Sequence, residues 1–249
     1  MLFRLALSAC LSFVFLCCSQ SNESTPTPAS TLKPAPTKTD ARVPHPDSVA
    51  LIEQTLAEFA KPHKSQWRME LVIEQRRQPL SQDYSGQLAF TSDDEFVLDG
   101  TYTSIMGGVE EPVVMQLTLS AGEGKLKMDS QVIDGLANST TLELERARKM
   151  MINQGPLGNP MGNGTAPALG LKRLLSAFTW HTIQQKEGVV RMLGRPSDAV
   201  YEFFIKQRLT PSPASAWVEL DTQTGWPNRL EMISSKDEVM LLAEWSKSP

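Results

Sequence analysis

The strongest nucleophiles in this chain are three thiols, and all of them, Cys10, Cys17 and Cys18, fall within its first eighteen residues. Thiolate is the species that attacks carbonyls, pairs into disulfides and binds soft metals. From residue 19 onward none of that chemistry is open, and no internal disulfide framework can form there. The histidines are scattered at 45, 63 and 181. None has a second His or Cys at ligand spacing, so neither a zinc site nor any other metal is expected. His181, between Trp180 and Thr182, reads as a strand or rim histidine. The carboxylate clusters Asp93-Asp94-Glu95 and Glu110-Glu111 both sit among turn residues and read as solvated. There is no G-x-S-x-G elbow, and no glycine loop between a strand and a helix to cradle phosphate. An enzyme is therefore not expected, nor a cofactor. Removing Arg4 from the 24 basic residues leaves 23 against 28 acidic ones over 19–249, a net charge of −5. That balance excludes a broad electrostatic footprint for nucleic acid.

The thiols gain meaning from what surrounds them. One positive residue, Arg4, precedes the apolar run "LALSACLSFVFLCC" (5–18), and a polar flank follows. The run is too short to span a bilayer and has the length of a signal-peptide core. The segment resembles the bacterial lipoprotein signal, in which a thiol just after the apolar core receives diacylglycerol and becomes the first mature residue. That pattern asks for Leu at −3 and small residues at −2 and −1. Cys18 has Phe15, Leu16 and Cys17 there, whereas "LSAC" (7–10) fits better but would give a nine-residue signal. Cys18, and after it Cys17, are the candidate lipidation sites. Ordinary cleavage after Ser19 or Ser21 is the alternative.

The elements that follow organise the rest. Residues 19–47 form a Pro/Ser/Thr-rich tether with prolines at 26, 28, 34, 36, 44 and 46, too poor in apolar side chains to offset the entropy of ordering. A domain is expected over 48–249. It opens with an amphipathic helix, "DSVALIEQTLAEFAKP" (47–62), with Leu51, Ile52, Leu56, Phe59 and Ala60 on one face. Then the period falls to two. "WRMELVIE" (67–74), "EFVLDGTYTS" (95–104), "VVMQLTLS" (113–120) and "KLKMDSQV" (125–132) alternate apolar with polar and predict half-buried antiparallel strands joined by turns at 92–94, 107–112 and 121–124.

The composition of 140–153 suits a helix, and "QGPLGNPMGNGTAPA" (154–168) predicts a long loop of the kind that serves as a flap. A helix over 167–178 turns Leu171, Leu174, Leu175 and Phe178 inward. Strands resume at 179–185, 188–194, 216–222, 228–235 and 238–246, with 198–209 open to a helix or an irregular excursion. The expected class is α+β: one strongly curved antiparallel sheet, an unclosed half-barrel of about 10–11 strands, covered by a few helices.

Two helices cover little of such a sheet, and a curved sheet with incomplete cover encloses an apolar space suited to lipid or another apolar group. Methionines at 69, 115, 128, 192, 232 and 240 fall in the expected strands, and flexible thioethers suit variable apolar ligands. On the parity assigned to the inner face, the candidate liners are Trp67, Met69, Leu71, Phe96, Leu98, Met115, Leu117 and Met128. The rival reading is a structural or partner-binding envelope protein whose interior is filled by its own side chains.

The layout of 48–247 is similar to that of the LolA/LolB superfamily of lipoprotein-carrier folds. The part that carries the resemblance is "VELDTQTGWPNRLEMIS" (218–234), a strand ending Leu220-Asp221, a turn Thr224-Gly225-Trp226-Pro227 and a return through Arg229-Leu230-Glu231, preceded by "VVRMLGRP" (189–196). The resemblance implies an unclosed barrel with a helical lid that holds acyl chains of lipids or lipoproteins. The arginine that carriers of this type place in an early strand to control the lid is absent from "AFTSDDEFVLDG" (89–100), so no gating residue is carried over. The expected partners are thus lipid or lipoprotein acyl chains and, through the N-terminal anchor, a membrane. A monomer in the cell envelope facing the periplasm is expected, the outer membrane favoured, with a soluble periplasmic or secreted form as the alternative.

Overall fold

A computed structural model describes residues 46–75, 77–106, 112–133, 135–152 and 166–248. The expected signal, the tether up to 45, Cys17 and Cys18, Glu110-Glu111 and most of the expected flap (154–165) lie outside the described residues.

The α+β half-barrel expected from alternation is the fold observed. Helix α1 (Pro46–Phe59) leads into a meander of six strands, β1 (His63–Gln75), β2 (Gln78–Ser92), β3 (Glu95–Met106), β4 (Val113–Gly122), β5 (Lys125–Val132) and β6 (Ala137–Glu143). Helices α2 (Leu144–Ile152) and α3 (Pro167–Ser176) follow, then β7 (Phe178–Lys186), β8 (Val189–Pro196), α4 (Asp198–Gln207), β9 (Leu209–Thr210), β10 (Pro213–Asp221), β11 (Pro227–Ser234) and β12 (Val239–Lys247). The strands form one twelve-stranded sheet in the order β6-β5-β4-β3-β2-β1-β12-β11-β10-β8-β7, with β9 against the end of β1. All pairs are antiparallel. Strands β6 and β7 are its two ends, so the sheet does not close.

Three readings are corrected. Strand β2 was not visible to alternation because two of its inner positions hold Gln82 and Gly86 between Leu80, Tyr84, Leu88 and Phe90. The helix expected over 140–153 begins only at Leu144; residues 137–143 pair with β5, which sets Leu142 opposite Leu126. In α1 the expected face does pack on the core, through Phe59 and the partly buried Leu51, Ile52 and Leu56, but the helix also buries Ser48 and Thr55, and Ala60 just past it is exposed. Thr55 Oγ1 donates to Leu51 O (2.9 Å), the local bond that lets a hydroxyl be buried there.

Gly86 and Gly100 lie directly opposite each other on β2 and β3. A Cβ on Gly100 would stand 2.3 Å from Ser85 O and 2.7 Å from Gly86 Cα. Glycine at both positions lets the two backbones approach closely. The row through this pair runs Trp245–Trp67–Gly86–Gly100–Leu117 across five strands.

The opposite face carries charge. Arg191 on β8, Glu219 on β10, Arg229 on β11, Glu244 on β12 and Arg68 on β1 are successive cross-strand partners of alternating sign. Arg229 reaches Glu244 at 3.2 Å and Arg191 reaches Glu219 at 3.4 Å. Each such partly exposed pair contributes roughly 0.2–1 kcal/mol. Their larger effect is on register, because a shift of one residue would turn every charge of a strand into the core.

Candidate apolar ligand site

Trp67, Met69 and Leu71 on β1, Phe96 and Leu98 on β3, and Met115 and Leu117 on β4 are all buried on the inner face in one continuous cluster. Met128 on β5 is partly buried and packs against that cluster. Their strand neighbours point outward: Val72 is 47% exposed, against 6% for Leu71. Of the other strand methionines, Met192, Met232 and Met240 are the more deeply buried, in the closing half of the sheet.

Sequence reasoning missed other members of the same face. Tyr84, Leu88 and Phe90 belong to β2; Tyr102, which shares the face of Phe96 and Leu98 by alternation, lies opposite Met115 on β3. His63 and Ser65 extend the parity of Trp67 toward the start of β1 and are both buried. Carrying the alternation back two and four residues from Trp67 would have found them.

One end of the interior is aromatic. Phe59 of α1 stacks on Trp226 from the β10–β11 turn (5.4 Å between centroids), and His63 stands edge-on to Trp226 at 4.9 Å and stacks with Phe90 at 5.1 Å. His63 Nδ1 lies 2.8 Å from Lys61 O, a carbonyl that can only accept, so Nδ1 carries the proton and donates to it. Burial holds the His63 pKa below the ordinary value, with the Lys61 carbonyl acting in the opposite sense. Lys247 of β12 pairs with Glu58 of α1 (3.0 Å) and lies over the Trp226 ring. The turn that presents Trp226 is built by Asp221, whose Oδ1 accepts from Thr224 N (2.7 Å), Gln223 N (3.0 Å) and Thr224 Oγ1 (2.8 Å). Gly225 supplies the left-handed residue at φ 75°, and Pro227 enters β11 at its first position.

The helical cover is fastened by polar groups. Helix α3 has Pro at its first turn and no capping side chain of its own. Its cap comes instead from the β2–β3 turn: Asp93 Oδ1 accepts from Ala168 N (2.8 Å) and Oδ2 from Leu169 N (3.2 Å). Arg148 of α2 donates to Asp93 O and pairs with Asp94 at 2.9 Å. The cluster 93–95, read from sequence as solvated turn residues, is therefore corrected at Asp93, which clasps two helices to one hairpin; Asp94 and Glu95 are exposed, as that reading expects, and Asp94 adds a surface ion pair to Arg148. Burial raises the Asp93 pKa above its usual value, opposed by the bonds from Ala168 and Leu169 and by Arg148, and assisted by Asp94.

Among the described residues no cluster of His, Cys, Asp or Glu could hold a metal ion, and no helix is long and apolar enough to cross a membrane. What the described elements make is an open antiparallel half-barrel with an apolar inner face and a clasped helical cover.

Neither a family model nor a curated protein matches the sequence. Solved structures do match in shape. LprF from Mycobacterium bovis aligns at a TM-score of 0.48 and 11% identity, over 82% of this chain and 94% of that one. A LolA superfamily protein from Nitrosomonas europaea aligns at 0.29 and 6%, over 81% and 91%. The MucA/MucB complex of Pseudomonas aeruginosa aligns at 0.33 and 11%, over 82% of this chain but 58% of the matched one. At these scores and identities the likeness transfers no function and no family membership.

Proposed function

We propose that this chain is a cell-envelope lipoprotein that holds lipid, or the acyl chains of lipoproteins, between the inner face of its half-barrel and the helices. One observation carries the reading: an apolar face continuous through an unclosed sheet, from Met128 near one end to Trp180 at the other, covered by short helices fastened through Asp93 and Arg148. Binding would gain about 0.8 kcal/mol for each CH₂ taken from water. The eight residues from Trp67 to Met128 would line the bound chains, and α3 would be displaced when they enter. Transfer of lipid or lipoprotein between sites follows from reversible occupancy, and a tethered protein acts as a receptor or local binder, not as a shuttle.

The second reading, a structural or partner-binding lipoprotein with a self-filled core, is favoured by the burial of Trp67, Met69, Leu71, Phe96, Leu98, Met115 and Leu117. Native mass spectrometry of the full-length chain, extracted in mild detergent from bacterial membranes, separates the two. Co-purifying lipid at defined stoichiometry supports the first, and a chain that carries no lipid and takes up none supports the second.

The tether and anchor belong to the same proposal. Cys18, or else Cys17, carries the lipid, and the proline-rich segment holds the domain off the bilayer on the periplasmic side. Ser19 directly after Cys18 is compatible with the outer membrane. Replacing both cysteines with Ser should release the chain from the membrane fraction, and continued partitioning would overturn the anchor.

A further inference from the structure

The inner face is not wholly apolar. Tyr84 OH, Trp67 Nε1 and Ser65 Oγ are buried, and none finds a hydrogen-bond partner among the described residues. Their side chains are 2%, 6% and 1% exposed. Buried polar groups are nearly always paired, so these three adjacent orphans ask for a shared explanation; a fourth on the same strand face, His63 Nε2, lies in the aromatic end. The three are neighbours. Trp67 and Tyr84 have ring centroids 5.1 Å apart. Tyr84 OH lies 3.0 Å from where a Cβ on Gly86 would stand, and Gly86 is the residue directly opposite Trp67. Ser65 is the next inner position along β1, about 7 Å from Trp67 by strand geometry. The missing side chain at Gly86 is what admits the Tyr84 hydroxyl there, with the Trp67 ring beside it and Ser65 one inner position further along β1.

Chemistry narrows the occupant. The indole N–H can only donate, and both hydroxyls have a proton to give. The complement is an oxygen acceptor. Among the described residues the buried polar ones are Ser48, Thr55, His63, Ser65, Ser104 and Ser234, with no Lys or Arg, so a carboxylate there would be buried without a counter-ion from them, at high cost. The acceptor is therefore neutral.

We propose that Trp67, Tyr84 and Ser65 form a subsite for the ester carbonyl of an acylglycerol, so that the half-barrel selects ester-linked lipid over free fatty acid. This rests on the lipid-binding reading above. In it, the acyl chains lie along the apolar strips and the ester group sits over Gly86 and Gly100.

The test compares three probes on the full-length chain in mild detergent, by competition in native mass spectrometry: dioleoylglycerol, its diether analogue with the same chains and no carbonyl, and oleate at pH 8. The diester should outcompete the diether by about three- to tenfold, the range one or two neutral hydrogen bonds carry, and oleate should be the weakest. Tyr84→Phe should bring the diester toward the diether and leave the diether unchanged, whereas Trp67→Phe, which also trims the apolar lining, should weaken both probes and the diester more. Tyr84→Phe should not lower the melting temperature of the lipid-free chain, since it removes an orphan hydroxyl. Equal binding of diester and diether, or equal loss of both in the variants, overturns the subsite and leaves lipid binding intact. A melting temperature lowered by Tyr84→Phe also overturns it, by showing that the hydroxyl is satisfied within the protein. Failure of all three probes to bind overturns the subsite and the lipid reading together.

Discussion

Asp93→Ala should loosen the cover without unfolding the sheet. The substitution deletes both acceptors that cap α3, at 2.8 Å from Ala168 N and 3.2 Å from Leu169 N. Two charge-assisted bonds would suggest a large loss, but burial already works against the charge, as the raised Asp93 pKa records. The net should resemble removal of a strong N-cap, about 1–2 kcal/mol, which corresponds to roughly 5–30-fold more frequent opening. Hydrogen exchange followed by mass spectrometry reads this locally. Amides of α3 should exchange faster by that factor, while those of β10, β11 and β12 stay as in the wild type. Asp93→Asn, which keeps one acceptor and removes the charge, should fall between the two. The pH dependence has a defined sign. A carboxyl whose folded pKa is raised binds its proton more tightly when folded, so its contribution is greatest below the ordinary carboxylate range. It declines as pH rises through the folded pKa. Asp93→Asn should lack that decline. Unchanged α3 exchange in Asp93→Ala would refute the clasp, and faster exchange throughout the sheet would show that Asp93 supports the whole fold and not the cover.

Two further outcomes follow from the geometry. Gly100→Ala puts a Cβ 2.3 Å from Ser85 O, a backbone atom that cannot swing away. It should cost about 2–3 kcal/mol and lower the melting temperature by roughly 4–12 °C in calorimetry. His63 has a depressed folded pKa from burial, so the wild type should lose stability as pH falls from about 6.5 toward that lower value. The urea midpoint should be lower at pH 5 than at pH 7.5, and in His63→Phe, which keeps a ring among Phe59, Phe90 and Trp226, the gap should narrow.

Alternation was enough to place most strands and to assign the inner parity of Trp67, Met69 and Leu71, because a half-buried strand writes its two faces into consecutive residues. It failed at β2, where Gln82 and Gly86 occupy inner positions. There the need for close backbone approach outweighed the need for apolar side chains. The helix over 140–153 was misplaced at its start because Thr140 to Glu143 are claimed by β5, a tertiary effect that composition does not carry. The clasp could not be read at all. Asp93 meets Ala168 and Arg148 across sequence separations of 75 and 55 residues, and a carboxylate in a turn looks the same whether it faces water or a helix end. The donors at Ser65, Trp67 and Tyr84 come together only once β1 and β2 are paired.

The first strand of the domain is not at an edge of the sheet. It lies between β2 and β12, so that Arg68 is paired with Glu244 near the far end of the chain. An emerging chain can therefore complete the hairpin of β1 and β2 early, but on its other flank the stretch Ser65–Leu71 keeps its backbone groups unpaired until Val239–Lys247 has arrived. An open flank is a template for another chain, and long-range pairing of this kind is slow. Assembly of the domain is in this sense a closing reaction, and a chain cut short ahead of β12 should be recovered as aggregate, not as a smaller soluble half-barrel.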